Sequence, residues 1–178
     1  MAAIKILCPT GHLGFTPLEP ASFREGCKLN PDFIVADSGS CDIGPYPLGA
    51  DGQASPVAWQ RHDLEVMLVE ARRLGVPMII GSASDTGTDR GVDQYVALIR
   101  EIAAAHRMAP FKLAAIYAEV GVSDLRSRLA RGARIEGLDG RADADDDVLS
   151  RTSRAVAVMG AEPIQAAQVD HAILVGAE

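Results

Sequence analysis

Short apolar runs recur along this chain, and amphipathic stretches fill the gaps between them. Ile4–Cys8, Phe33–Ala36, Pro77–Ile80, Lys112–Tyr117, Ala155–Met159 and His171–Val175 read as strands. They are continuous runs, not alternations, which is the pattern of strands buried on both faces. Arg61–Leu74 predicts a helix. Leu64, Met67, Leu68, Ala71 and Leu74 recur at helical spacing, and Gly75 stands where a C-terminal cap belongs. Val92–His106 predicts a second, with Val92, Tyr95, Val96, Ile99, Ile102 and Ala103 on one face. Shorter helices are expected over Ala21–Lys28, which Pro31 stops, and over Ser123–Arg131, with Ser123 as N-cap and Gly132 past the end. Helical turns are expected at Asp146–Ser153 and Pro163–Gln168. Strands alternating with helices imply βα units with right-handed crossovers. The expected fold is α/β, a Rossmann-like, doubly wound, mostly parallel sheet of about six strands with helices on both faces.

The length of 178 residues suits one domain. Hydrophobic residues at 48% and charged residues at 23% exclude a disordered chain, a collagen and a coiled coil. Aromatics are only 4%, so the core must be aliphatic. No apolar run is long enough to cross a bilayer, so no membrane role is expected. Met1-Ala2-Ala3-Ile4-Lys5 leads straight into the first strand and does not read as a signal peptide. Cys8, Cys27 and Cys41 are odd in number and irregular in spacing, which fits a reducing cytoplasm. The net charge of −7, without a basic stripe, argues against nucleic acid as a partner.

Ligands of open α/β sheets sit outside the carboxyl ends of the strands, so the loops after each strand carry the chemistry. The loop after the third strand runs Gly81-Ser82-Ala83-Ser84-Asp85-Thr86-Gly87-Thr88-Asp89-Arg90-Gly91 into a helix. Glycine lets backbone approach a ligand, and helix N-terminal amides favour an anion, so Gly81, Ser82 and Ala83 are candidate binding residues. The same loop also reads as ordinary capping chemistry, and it matches neither a P-loop nor a dinucleotide fingerprint. After the second strand, Asp37, Ser38, Gly39, Ser40 and Asp42 gather two acids and two hydroxyls. Asp37 and Asp42 are candidates for base, orienting group or ligands of a divalent metal, against the plainer reading as Asx turns and caps. His12 lies in the loop after the first strand beside Thr10 and Gly11 and is a candidate acid or base. Glu119 and Glu162 each stand just past a strand, where catalytic acids and helix N-terminal acids both occur. His62, His106 and His171 read as structural or surface residues. There is no Gly-x-Ser-x-Gly elbow.

Several of these stretches together resemble the N-terminal part of the acyclic terpene utilisation AtuA family. They are Ile6-Leu7-Cys8-Pro9-Thr10-Gly11, Ala36-Asp37-Ser38-Gly39-Ser40-Cys41-Asp42-Ile43-Gly44-Pro45-Tyr46, Arg61-His62-Asp63-Leu64-Glu65, Ile79-Ile80-Gly81-Ser82-Ala83 and Met159-Gly160-Ala161-Glu162-Pro163. The resemblance implies a bacterial catabolic enzyme of terpenes or other organic acids. The family is usually much longer, so the resemblance implies that the chain corresponds to a first part or one subunit; the loop Ser84–Asp89 is also less glycine-rich than the family pattern.

The acid-rich loops and the absent nucleotide fingerprint suggest proton-transfer chemistry on a small carboxylate or acyl-CoA, of hydratase, lyase or isomerase type. The alternatives are a hydrolase subunit and a non-catalytic ligand-binding or scaffold subunit. The last strand has no helix after it, so one sheet face is expected to be partly bare. A second polypeptide that completes the fold is the expected partner, with a homo-oligomer as the alternative.

Overall fold

The computed structural model describes residues 3–39, 46–50 and 52–167, together with the backbone of 173–176. Its strands are β1 (Ile6–Leu7), β2 (Phe33–Asp37), β3 (Met78–Gly81), β4 (Leu113–Ile116), β5 (Glu119–Val120), β6 (Ala155–Val156) and β7 (Ile173–Gly176). Its helices are α1 (Pro20–Cys27), α2 (Tyr46–Ala50), α3 (Val57–Leu74), α4 (Asp89–Ala105), α5 (Val122–Ala130), α6 (Asp146–Ser150) and α7 (Glu162–Ala166). The fold is mixed α/β, as expected. Its main sheet is parallel, in the order β1-β2-β3-β7-β4.

Burial alternates along the strands. Ile34, Ala36, Met78 and Ile80 are fully buried, whereas Phe33, Val35 and Ile79 are half-buried. The parallel register sets Ile34 beside Met78 and Ala36 beside Ile80, so these side chains share one face. Leu7, Leu113 and Ala115 join the same core. Helices α3 and α4 pack on this face and on each other, and α1 packs on α3. They bring Leu64, Met67, Leu68 and Ala71 from α3, and Val92, Tyr95, Ile99 and Ile102 from α4. Each fully buried large side chain contributes roughly 1.5–3 kcal/mol.

The described helices that pack extensively on strands are therefore α3 and α4, on one face. This differs from the expected double winding. The steps β1→β2→β3 run in one direction across the sheet, and β3→β4 continues past the place that β7 fills. Right-handed crossovers then put α1, α3 and α4 on one side. Only the return from β4 to β7 reverses direction. That return segment, residues 117–167, is largely exposed, and α5 buries no residue.

Three local expectations need correction. Ala155–Met159 does not join the main sheet. Only Ala155–Val156 is a strand, and it pairs antiparallel with Glu119–Val120 in a separate ribbon. Ser123 is not the N-cap of α5. Gly121 holds that place, because its carbonyl accepts from the amides of Asp124 and Leu125 and the helix starts one residue earlier. Helix α3 also begins earlier than its apolar pattern, because the Pro56 carbonyl accepts from Trp59 and Gln60. Gly75 caps α3 as expected, with φ of 69°. His171 lies outside the described residues. No helix among the described residues is long and apolar enough to cross a membrane.

The return segment is fastened by exposed ion pairs. Arg126 grips Asp146 through Nε and Nη2 at 2.6 and 2.9 Å, and Arg134 grips Asp143 at 2.7 Å. Hydrogen bonds from the two arginines hold both carboxyls below their ordinary range. A carboxyl lowered in the folded state adds stability that is complete above its unfolded value and lost as pH falls through the folded one. Hydrogen-exchange protection of residues 122–150, corrected for intrinsic rates, is thus expected to be constant across neutral pH and to fall modestly below the ordinary carboxyl value of 3.8. The Asp143→Asn, Asp146→Asn double variant should show the same reduced protection at both ends of that range.

Candidate functional site

A parallel sheet brings all its carboxyl ends to one edge, and three loops meet there. The Leu13 amide donates to the Asp37 carbonyl at 2.9 Å, tying the loop after β1 to the end of β2. The Ser38 amide donates to Gly81, and the Asp85 amide donates to Ser38, tying β2 to the loop after β3. Gly39 permits this closeness: a Cβ there would lie 2.7 Å from the Ser82 Cβ.

The loop after β3 is strained. Ser82, Ser84 and Asp85 have φ of 46°, 63° and 69°, in the left-handed region that disfavours L side chains. Each such residue costs on the order of 1–2 kcal/mol and persists only where its surroundings over-determine it. The Asp85 carboxylate supplies that determination. Its side chain is wholly buried and accepts four hydrogen bonds. Oδ1 accepts from His12 Nε2 at 2.5 Å and from Ser55 Oγ at 3.2 Å. Oδ2 accepts from the amides of Ala54 and Ser55, each at 3.0 Å. One carboxylate thus binds the first loop, the third loop and the segment entering α3. The Ser84 hydroxyl is buried against Gly91 with no partner among the described residues.

A second buried carboxylate, Asp63, fixes the other end of the first loop. It accepts from the amides of Gly14 and Leu18 at 2.9 and 2.7 Å and bonds His62 Nδ1. Between the two clamps, His12 is held 4% exposed beside the Phe15 ring, with centroids 5.1 Å apart. Ser38 is wholly buried and shares a 2.5 Å hydrogen bond with the Tyr95 hydroxyl. Burial pushes the Tyr95 phenol well up from its ordinary value, so it stays a neutral partner. A cavity of about 370 Å³ opens beside Ala54, lined by Tyr46, Pro47, Ala50, Gly52 and Gln53.

The expected residues divide into two groups. His12, Ser38, Gly39, Gly81, Ser82 and Ala83 come together at this edge. Thr10 turns its hydroxyl onto the His12 amide at 3.1 Å, and Gly11 is exposed beside it. Asp37 sits at the same edge, but its Oδ1 accepts from the Gly39 amide in an Asx turn. Glu119 is engaged elsewhere: Oε1 caps the Asp89 amide at the start of α4 and lies 3.5 Å from Arg154 Nε. Glu162 begins α7, and its carboxylate folds back toward Gly160. No described contact joins either acid to His12. Ser40 and Asp42 lie outside the described residues. Among the described residues, no three His, Cys, Asp or Glu side chains converge as a metal site.

Sequence reasoning missed Asp85 and Ser55. Asp85 stands in the loop after the third strand and Ser55 just ahead of α3, and nothing in their spacing shows that they meet His12 across the sheet edge. The Ser55, His12 and Asp85 trio is not a nucleophile triad. Ser55 Oγ and Asp85 both face the same ring nitrogen, Nε2, whereas a triad uses opposite nitrogens.

Asp85→Asn keeps the volume but removes the charge and one acceptor. The expected loss is about 2 kcal/mol or more, seen in urea unfolding, because buried donors are left unmatched. Gly91→Ala sets a Cβ 1.9 Å from Ser84 Oγ and 2.8 Å from the Ala83 carbonyl oxygen. Overpacking of that kind is expected to cost roughly 1–3 kcal/mol in the same measurement.

No known family model matches this sequence, and no curated protein or solved structure is found to be similar to it, so the site is read from its own geometry.

Proposed function

We propose that this chain is a domain of a catabolic enzyme that moves a proton on a small carboxylate or acyl-CoA, with His12 as acid or base. The observation that carries the reading is the buried His12–Asp85 pair at the carboxyl edge of a parallel sheet. A carboxylate on Nε2 holds the ring in one orientation. Asp85 is then a positioning residue, and the imidazolium that forms meets a compensating charge without rearrangement. Gly39 and Ser82, brought close at the same edge, supply backbone for an anionic substrate. The resemblance to the AtuA family supports the same substrate class. The parallel sheet with its site at the strand ends suits a small-molecule enzyme.

A scaffold role is the second reading, and one observation favours it. All four acceptor positions of Asp85 are used internally, as in a purely structural latch.

Deuterium exchange separates the two. In D2O, a panel of short-chain acyl-CoA thioesters and their free acids is followed by NMR at the carbon next to the carbonyl. The chain is expected to exchange that hydrogen, and His12→Gln to lower the rate by about 100-fold, as loss of a general base does. Circular dichroism should be unchanged. Absence of exchange by the unmodified chain, or full exchange by His12→Gln, would establish the scaffold reading instead.

A further inference from the structure

The opposite edge of the sheet carries a different feature. Two cavities of about 510 and 340 Å³ adjoin where α3 and α4 end, and both are lined by Met108 and Ala109. Arg72, Arg73 and His106 line the smaller, and Arg100 and Arg107 the larger. The chain is acidic overall, and most of its arginines lie against carboxylates, so such a concentration of cations is unusual here.

Arg72 decides what this cluster can do. It has no hydrogen bond or ion pair among the described residues, and its Nε is buried without a partner. Its guanidinium lies over the Phe111 ring, with the central carbon 4.9 Å from the centroid. Phe111 belongs to the wall of the larger cavity, so the stack stands between the two. A stacked guanidinium is held in orientation while its terminal N–H groups stay available for a planar or tetrahedral anion. Cations in a last helical turn often only offset the helix dipole. That reading fits Arg73, whose Nε is bound to Glu70, and His106, which is bound to Glu65. It does not fit Arg72, which donates to no carbonyl of either helix end.

The rest of the larger wall is apolar: Ala103, Met108, Pro110, Phe111 and Leu113. We infer that these adjoining cavities bind an amphiphilic organic anion. Its carboxylate or phosphate head meets Arg72 and Arg107, and its hydrocarbon body lies along Met108, Pro110 and Phe111. The site lies beyond the amino ends of β3 and β4, on the edge away from His12, and does not depend on the proposed chemistry there.

Calorimetric titration of the whole chain tests this with four probes: octanoate, octyl phosphate, octanol and inorganic phosphate. At least one of the two amphiphilic anions should saturate with a Kd below ~1 mM, with octanol and inorganic phosphate at least ~10-fold weaker. Octanoate and octyl phosphate distinguish a carboxylate head from a phosphate one. Arg72→Gln should weaken binding by ~10-fold or more, the usual scale for one charged contact. His12→Gln should leave it unchanged. If Arg72→Gln disturbs circular dichroism, Arg107→Gln, at an exposed position, decides the matter by the same criterion. Failure of both anions to saturate overturns the proposal. So does octanol binding as tightly as octanoate, or undiminished binding in the deciding variant.

Discussion

Asp85 holds a carboxylate out of water and surrounds it with donors from two other stretches of chain. Isolated, such a charge would be too costly to bury. With His12, Ser55 and two backbone amides around it, the cost is offset and the loops are fixed in one arrangement. The left-handed Ser82, Ser84 and Asp85 backbone depends on that arrangement, and so does the placement of His12. Asp63 repeats the device on Gly14 and Leu18. The first loop is thus suspended between two buried anions, and its single imidazole has little freedom to turn away.

The helices were legible because their cause is local. Spacing of Leu64, Met67, Leu68 and Ala71 marks α3, and Gly75 marks its end whatever surrounds it. The short strands were legible as apolar runs, but their partners were not. Ala155–Val156 is as apolar as Phe33–Asp37, yet it pairs with Glu119–Val120, because pairing follows chain path and not composition. The candidate site was legible by address only. His12 and the glycine-rich third loop stand where a parallel sheet puts ligands. The Asp37 and Glu119 carboxylates share that kind of address but are turned to an Asx turn and a helix cap. The residue that organises the edge, Asp85, looks in the sequence like any capping acid.

The two faces of the sheet follow from strand order. Three steps in one direction stack α1, α3 and α4 together and build a dense core there. The return alone can serve the other face, and its helices are short and mostly exposed. Val35 and Ile79 remain half-buried and Ile6 is 64% exposed, although each sits in a parallel strand. Stability in this chain is therefore lopsided, concentrated where α3 and α4 meet.

Trp59 is the one tryptophan of the chain. It stands in the first turn of α3, and 44% of its surface is exposed. Its amide bonds to Pro56, which directly follows the Ser55 held by Asp85. The indole is therefore a native optical reporter at the edge of the latch. A ligand that loosens or tightens the Asp85 contacts alters the polarity around this one ring. The emission of unlabelled protein then follows events at the sheet edge, free of background from any other indole.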